Sequence, residues 1–341
     1  MRRHRTAAGI LLTVAALFTG ALVEAGAATA ADAGTRPAQS ARPTSPSPAR
    51  GSGIPARTPS LAEQRASRTF WTAERMRGAT PLDLLLTPRA AQRLKTPGAA
   101  EGPVTTVAPT AAPAAFPQAG GPWTGGGAVV KTSGRVFFTF QGRTASCSGN
   151  AVTSQNASTV ITAGHCVKYQ GSWHTNWVFV PAYDNGNAPY GQWTATKTLT
   201  TPQWEASEDI NHDIGAAVVA PLNGQRLTSV VGAQGIQFNG GYNKPMYAFG
   251  FPAASPYDGS KLIYCSGNSS RDFLLSQDHS LACNMTGGSS GGPWFTGFSE
   301  ATGQGLQVSV NSFGYTFLPN RMFGPYFGNE AKALYDRAQI S

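Results

Sequence analysis

Three short stretches of the chain carry residue types that can act together on an acyl group. The first is Thr286-Gly287-Gly288-Ser289-Ser290-Gly291-Gly292-Pro293, a glycine-dense loop with two adjacent hydroxyls that runs into Trp294-Phe295. Glycine costs conformational entropy, so a chain gathers several where the backbone turns sharply or closely approaches another group. One such group is a carbonyl under attack by a serine oxygen, its developing negative charge met by backbone N–H groups. A flexible Gly/Ser linker has the same composition, and the loop alone leaves both readings open. The second stretch, Val160-Ile161-Thr162-Ala163-Gly164-His165-Cys166, is β-rich and ends on small residues that leave an imidazole at a strand end. The third, Asn211-His212-Asp213-Ile214-Gly215-Ala216-Ala217-Val218-Val219, places a carboxylate just before an apolar strand. There it is partly buried and needs a partner, because an unpaired buried charge is costly. Taken singly, His165 reads as a core or surface histidine and Asp213 as a turn cap. His-Asp-Ile-Gly also matches a short metal-phosphohydrolase signature. Such sites need several further His or Asp ligands on helices, whereas this match opens a β-type run. No metal and no cofactor is expected.

These side chains need rigid elements behind them, and from Trp123 onward the chain supplies β-structure. Short runs of β-branched and aromatic residues alternate with Gly, Asn and Pro. Strands are expected at Arg135–Phe140, Thr159–Thr162, Trp177–Val180, Trp193–Thr200, Ile214–Val219, Met246–Phe251, Lys261–Tyr264, Pro293–Phe295 and Leu306–Val310. Many short strands with turn chemistry between them indicate an all-β barrel or sandwich class. One helix is expected at 329–340, with Asn329 as its cap and Ala331, Leu334, Tyr335 and Ala338 on one face. A break near Asn223–Gly235 divides this part into two β halves, and sites for extended substrates often lie between such halves. All four cysteines fall here: Cys147, Cys166, Cys265 and Cys283. Four allow three pairings. Adjacent pairing, Cys147–Cys166 and Cys265–Cys283, closes two short loops, each contributing about 3 kcal/mol by loop-closure entropy.

The first 116 residues differ in kind. Residues 1–30 read as a signal peptide: a basic start, an apolar run from Thr6 to Val23, then Ala28-Thr29-Ala30 as a small-x-small cleavage site. Residues 31–116 are rich in Ala, Pro, Arg, Ser and Thr and read as a largely disordered pro-segment. Within it Ser60 to Leu94 forms a helical patch with Phe70, Trp71, Met76, Leu82, Leu84, Leu85 and Leu86, which favours a segment that docks on the following domain. The net charge of +9 invites a nucleic-acid reading. Residues 1–116 hold 14 Lys and Arg against 6 Asp and Glu, and residues 117–341 hold 12 against 11. The basicity belongs to the leader, so no nucleic-acid partner is expected. No later segment approaches the roughly 18 apolar residues that a membrane span requires.

The ordered set Thr162-Ala163-Gly164-His165-Cys166, Asp213-Ile214-Gly215-Ala216 and Gly288-Ser289-Ser290-Gly291-Gly292-Pro293 resembles the chymotrypsin-like (trypsin-like) serine peptidases, and most the bacterial secreted branch that includes glutamyl endopeptidases. The gaps, 48 residues from His165 to Asp213 and 77 from Asp213 to Ser290, also suit that family. The resemblance covers roughly residues 123–340. It implies a peptidase domain over 117–341 made of two six-stranded antiparallel β-barrels, about 123–225 and about 235–328, with a C-terminal helix. It implies Ser290 as nucleophile, His165 as general base and then acid, and Asp213 as the group that orients His165. The backbone N–H groups of Gly288 and Ser290 would form the oxyanion hole. Asn284 would lie at the base of the primary pocket with Met285 beside it. Ser312, Phe313 and Gly314 would pair with an extended substrate.

The chain also departs from the family pattern. Ser289 stands where digestive members carry the aspartate that pairs with a freed N-terminus, so latency would come from the pro-segment itself. Neutral Asn284 removes the cause of Arg/Lys specificity, and Asn311 stands where glutamate-specific relatives carry a histidine. Thr286 and Tyr315 remain as hydroxyls for the pocket. His174, His212 and His279 read as structural. The expectation is a secreted serine endopeptidase, monomeric, with protein or peptide substrates and its own pro-segment as partners. A non-catalytic relative that binds through the cleft, or an esterase with the same machinery, are the alternatives.

Overall fold

A computed structural model describes residues 53–86, 99–107 and 117–341. The expected signal peptide and the Pro-rich run 42–48 lie outside the described residues, as do residues 87–94 of the expected helical patch.

The first half of the body closes into a barrel. Its strands are β1 (Ser133–Phe140), β2 (Arg143–Ala151), β3 (Thr159–Thr162), β4 (Thr175–Pro181), β5 (Trp193–Thr200) and β6 (Gly215–Val219). They run in the order β5-β4-β1-β2-β3-β6, every pair antiparallel, and β6 returns to pair with β5. Side chains alternate across a strand. Val136 and Phe138 of β1, with Trp177 and Phe179 of β4, therefore point into the barrel core. Phe137, Val178 and Val180 point outward, yet they too are buried.

The leader covers that outer face. Helix α1 (Leu61–Phe70) starts at a capping box in which Ser60 and Glu63 each accept the other's backbone N–H. After α1, Trp71 packs on Phe137 with ring centroids 5.4 Å apart and donates its indole N–H to the Asn176 carbonyl at 2.6 Å. Met76 of α2 (Ala73–Arg77) joins the same cluster. Burying two such side chains contributes roughly 2–3 kcal/mol each. The Trp71 break divides the expected helical patch in two, and beyond Gly78 the described leader is extended. A segment read as largely disordered is thus folded over 53–86, because its apolar residues complete a core that the body begins.

The second half is built from β7 (Gly235–Phe238), β8 (Pro245–Gly250), β9 (Ile263–Asn268), β10 (His279–Ala282), β11 (Pro293–Ser299), β12 (Gln304–Val310), β13 (Phe313–Tyr315) and β14 (Leu318–Gly324). Here the ladder is in two pieces, β7-β12-β11-β8-β9 and β10-β14-β13, and β7 runs parallel to β12. The two sheets share a core of Met246, Ala248, Ile263, Leu281, Trp294, Val308 and Met322. The sheets part at Asn311. Its N–H donates to the Gly292 carbonyl and its carbonyl accepts from Gly291, while the next N–H, of Ser312, donates to Phe323 of β14. Thr105–Val107 pairs with β7, and Gln118–Pro122 with β9.

Helix α3 (Asn329–Gln339) packs Ala331, Leu334, Tyr335 and Ala338 on the first barrel's core, as expected. Its cap corrects the expectation. Gly328 holds the cap position and Asn329 is already helical; its amide oxygen accepts from Asn239 and its nitrogen donates to the Glu101 carbonyl. Both expected disulfides, Cys147–Cys166 and Cys265–Cys283, are present. Among the described residues no helix is long and apolar enough to cross a membrane.

Two buried histidines tie stability to pH. His174 stacks on Phe138 at 4.2 Å, and His279 lies 5.0 Å from the Tyr242 ring. Burial pushes each imidazole down from its ordinary 6.5 to about 3. Between these values the unfolded chain binds protons that the folded protein does not. The stabilisation is therefore complete above pH 6.5 and is lost as pH falls toward 3, by about 1.4 kcal/mol per pH unit for each histidine. In denaturant titrations across this window, His279→Gln should flatten the pH slope by about that amount.

Candidate active site

His165 sits in a single 3-10 turn, Gly164–Cys166, directly after β3. The Cys147–Cys166 bridge fastens that turn to β2, and Trp177 donates its indole N–H to the Cys166 carbonyl at 3.0 Å. Asp213 ends a second 3-10 turn just before β6. The two antiparallel strands β3 and β6 bring the turns together, Gly215 lying opposite Thr162.

Asp213 Oδ1 accepts the His165 backbone N–H and Oδ2 accepts its Nδ1–H, each at 2.7 Å. The Ser312 hydroxyl donates to Oδ2 at 2.5 Å. A carboxylate only accepts, so Nδ1 carries the ring proton and Nε2 is left as the basic nitrogen. The carboxylate and the imidazole have no exposed surface. Three donors are what allows a buried charge to persist there. His174 donates Nε2–H to the His165 carbonyl at 2.8 Å and so supports the turn from behind.

The Ser290 loop is held by its own geometry. Gly288 has φ +94° and Gly291 φ +79°, and a Cβ on Gly291 would lie 2.1 Å from Thr162 Oγ1. The Ser289 hydroxyl turns inward and donates to the Thr286 carbonyl at 2.7 Å. Ser148 donates its hydroxyl to the Gly288 carbonyl and accepts the Phe251 N–H, both at 2.9 Å. A leader carbonyl lies in the site: Leu82 O accepts from Gly288 N at 3.0 Å and from Ser290 Oγ at 3.4 Å. Ser290 Oγ faces that carbonyl, and His165 Nε2 has no hydrogen-bond partner among the described residues.

Two solved structures match this architecture over nearly their whole length. Protease Anisep from Arthrobacter nicotinovorans is 46% identical, with a TM-score of 0.59, over 63% of this chain and 98% of that one. The thermostable serine protease AL20 from an extremophilic microorganism is 42% identical, with the same TM-score, over 63% of this chain and 99% of that one. The chain belongs to the chymotrypsin-like serine protease family. It is a peptidase. A Glu endopeptidase, 16% identical over 97% of its length with a TM-score of 0.52, shares the fold. No protein-family profile matches the chain. A 71-residue stretch is 37% identical to the extracellular metalloprotease of Bacillus subtilis (strain 168). That stretch is 20% of this chain and spans only 22% of the relative.

In the protease a cavity of about 330 Å³ adjoins the Ser290 loop, with Asn284, Met285, Thr286, Gly314 and Arg321 among its walls. Asn284 accepts a hydrogen bond from the Tyr257 hydroxyl at 2.6 Å. The two hydroxyls proposed for the pocket are both engaged elsewhere. Thr286 donates to the Ala254 carbonyl, and Tyr315 donates to Asp272; burial, and then that hydrogen bond, push its phenol up. Ser312 turns its hydroxyl to Asp213, while Gly314 pairs through its N–H with the Leu84 carbonyl at 3.0 Å. Phe313 is buried against Leu84 and Trp204.

Asn311 has a role that sequence reasoning missed. It accepts the Trp294 indole N–H at 2.7 Å and donates to the Phe249 and Ser289 carbonyls at 2.8 and 2.9 Å. It braces the Ser290 loop and is not among the walls of the cavity at Asn284. Ser148 and the Ser312 hydroxyl were missed as well, because an isolated serine in a strand carries no signal of what it will face. Asn311→Ala would leave the Trp294 indole N–H without its acceptor and take one donor each from the Phe249 and Ser289 carbonyls, the latter keeping the Gly292 N–H. Chemical denaturation should show a loss of about 3 kcal/mol or more.

Proposed function

We propose that this protease is a secreted serine endopeptidase, acting through Ser290, His165 and Asp213 by way of an acyl-enzyme. The observation that carries the reading is the buried His165–Asp213 pair beside Ser290, with a peptide carbonyl held against the Gly288 N–H. With the leader displaced, His165 Nε2 takes the Ser290 proton as Oγ attacks the substrate carbonyl carbon. The resulting oxyanion is met by the N–H groups of Gly288 and Ser290. His165 then gives its proton to the leaving amine, and water repeats the sequence to release the acid. Asp213 holds the tautomer and stabilises the imidazolium. The nearly neutral body, the two disulfides and the similarity to a relative named as extracellular support export, with residues 1–30 as the signal peptide. Residues 31–116 then form the pro-segment, and the mature chain begins within Pro97–Trp123.

A fluorophosphonate probe should label the processed enzyme at Ser290 and leave Ser290→Ala unlabelled; a correctly processed wild-type protein that resists labelling would remove the serine-peptidase reading. Ser290→Ala and His165→Ala should each lower turnover about 10⁶-fold. Asp213→Asn should lower it about 10⁴-fold.

The charged residue that the body contributes to the cavity wall is Arg321, and the floor residue Asn284 is neutral. A cationic substrate side chain finds no counter-charge there. In cleavage profiling on a peptide library, Arg and Lys on the acyl side of the bond should be disfavoured at least about tenfold against neutral residues.

A further inference from the structure

The leader crosses the candidate site as an extended strap, and its direction carries information. Thr80 and Pro81 pair in parallel with Ala145 and Ser146 of β2, and Leu82 N donates to the Ser146 carbonyl at 2.9 Å. The Leu82 carbonyl then meets Gly288 N and Ser290 Oγ. Leu84 is buried against Trp204, Ile210 and Phe313, and its carbonyl accepts from Gly314 N. Leu85 and Leu86 continue in parallel along Gly314 and Tyr315 of β13.

Which end of a peptide belongs on which side follows from the chemistry. Cleavage requires the leaving nitrogen on the side of His165, since that imidazolium protonates it. The edge of β2 is that side: Cys147, next to Ser146, is bonded to Cys166, next to His165. The side chain on the acyl half belongs in the cavity of Asn284, Met285 and Thr286, which is bordered by Gly314 and Tyr315 of β13. A productive peptide therefore runs from β13 toward β2. The strap runs from β2 toward β13. Its acyl half lies where a leaving group would lie, and the Asp83 nitrogen leads toward the pocket instead of toward His165.

We infer that the cleft has a second mode of peptide binding, in which the chain's own segment Thr80–Leu86 occupies it in reverse, with the Leu82 carbonyl in the oxyanion hole, and blocks it without being cut. The inference rests on the serine-peptidase reading above. The strap satisfies the donor that a substrate carbonyl would use and draws Ser290 Oγ onto Leu82 O, but proton transfer to the Asp83 nitrogen has no donor in place. Inhibition is therefore relieved by cleavage outside the strap, followed by its release.

The test compares fluorophosphonate labelling of the intact full-length precursor with that of the processed enzyme, and follows the Leu82–Asp83 bond by mass spectrometry. The wild-type precursor should label about tenfold more slowly or worse. Leu84→Arg in the leader, which expels the buried anchor, should recover most of that factor. Leu84→Ala serves the same comparison if the arginine variant is not secreted. The Leu82–Asp83 bond should stay whole throughout. Equal labelling of intact precursor and processed enzyme would overturn the proposal. So would a cut at Leu82–Asp83 that disappears in Ser290→Ala, since that bond would then have been bound in the forward direction. A processed enzyme that does not label at all would sink the serine-peptidase reading, whereas one that labels as fast as its precursor sinks only the strap.

Discussion

A fully buried carboxylate is the constraint on which the rest of the site depends. Removing a charge from water costs several kcal/mol even after relaxation, and only well-placed donors offset it. Asp213 obtains three: the backbone and ring N–H of His165 from the first barrel, and the Ser312 hydroxyl from the second half. The charge is thus a reason for the two halves to close on one another at this point. Asp278 shows what burial does without such donors. Neither of its oxygens has a hydrogen-bond partner among the described residues, and burial, with the nearby charges of Asp272, Asp213 and Asp209 adding, pushes its carboxyl well above the usual range. Equal burial thus meets unequal donors: three on Asp213, and on Asp278 none to offset the burial that drives it toward its neutral form.

The Ser290 loop solves a related problem without any charge. Its two left-handed glycines permit a tight path that a Cβ would block, and that path leaves carbonyls facing inward. Ser289, Asn311 and Ser148 meet them with neutral donors. An ion pair to a freed N-terminus would make the loop's geometry depend on processing. Neutral donors within the body leave it formed beforehand. The loop is thus formed with the leader in place, and its Gly288 N engages the Leu82 carbonyl.

Much of this was legible in the residues, and the failures have a common cause. His165, Asp213 and Ser290 stand in motifs whose local chemistry is self-contained, and the strands at Thr159–Thr162 and Trp193–Thr200 have the expected bounds. The strands not anticipated, such as Arg143–Ala151 and Leu318–Gly324, are rich in Ser, Asn, Gly and Arg and owe their form to the partners they pair with. Asn329 was read as a cap from its type alone, but the chain at Glu101 and Asn239 claims its amide. Asn311 stands where glutamate-specific relatives carry a histidine, which says nothing of its bracing role; a buried amide with four hydrogen-bonding sites goes where donors and acceptors lie unpaired. Each error concerns a side chain whose partner is remote in sequence.

One such remote partner did leave a trace. Val136-Phe137-Phe138 and Trp177-Val178-Phe179-Val180 are apolar on both faces, whereas a barrel strand with water outside should alternate. Their outer residues Phe137, Val178 and Val180 imply a cover, and the leader residues Trp71 and Met76 provide it. Read in isolation the leader has too few apolar residues to fold; read with these strands, it has as many as the surface calls for. The same logic extends to the strap. Leu84 finds its core among Trp204, Ile210 and Phe313 of the body. An apolar surface can hold a peptide running in either direction, because burial is non-directional. Direction is set instead by the backbone hydrogen bonds, here from Gly288 N to Leu82 O and from Gly314 N to Leu84 O.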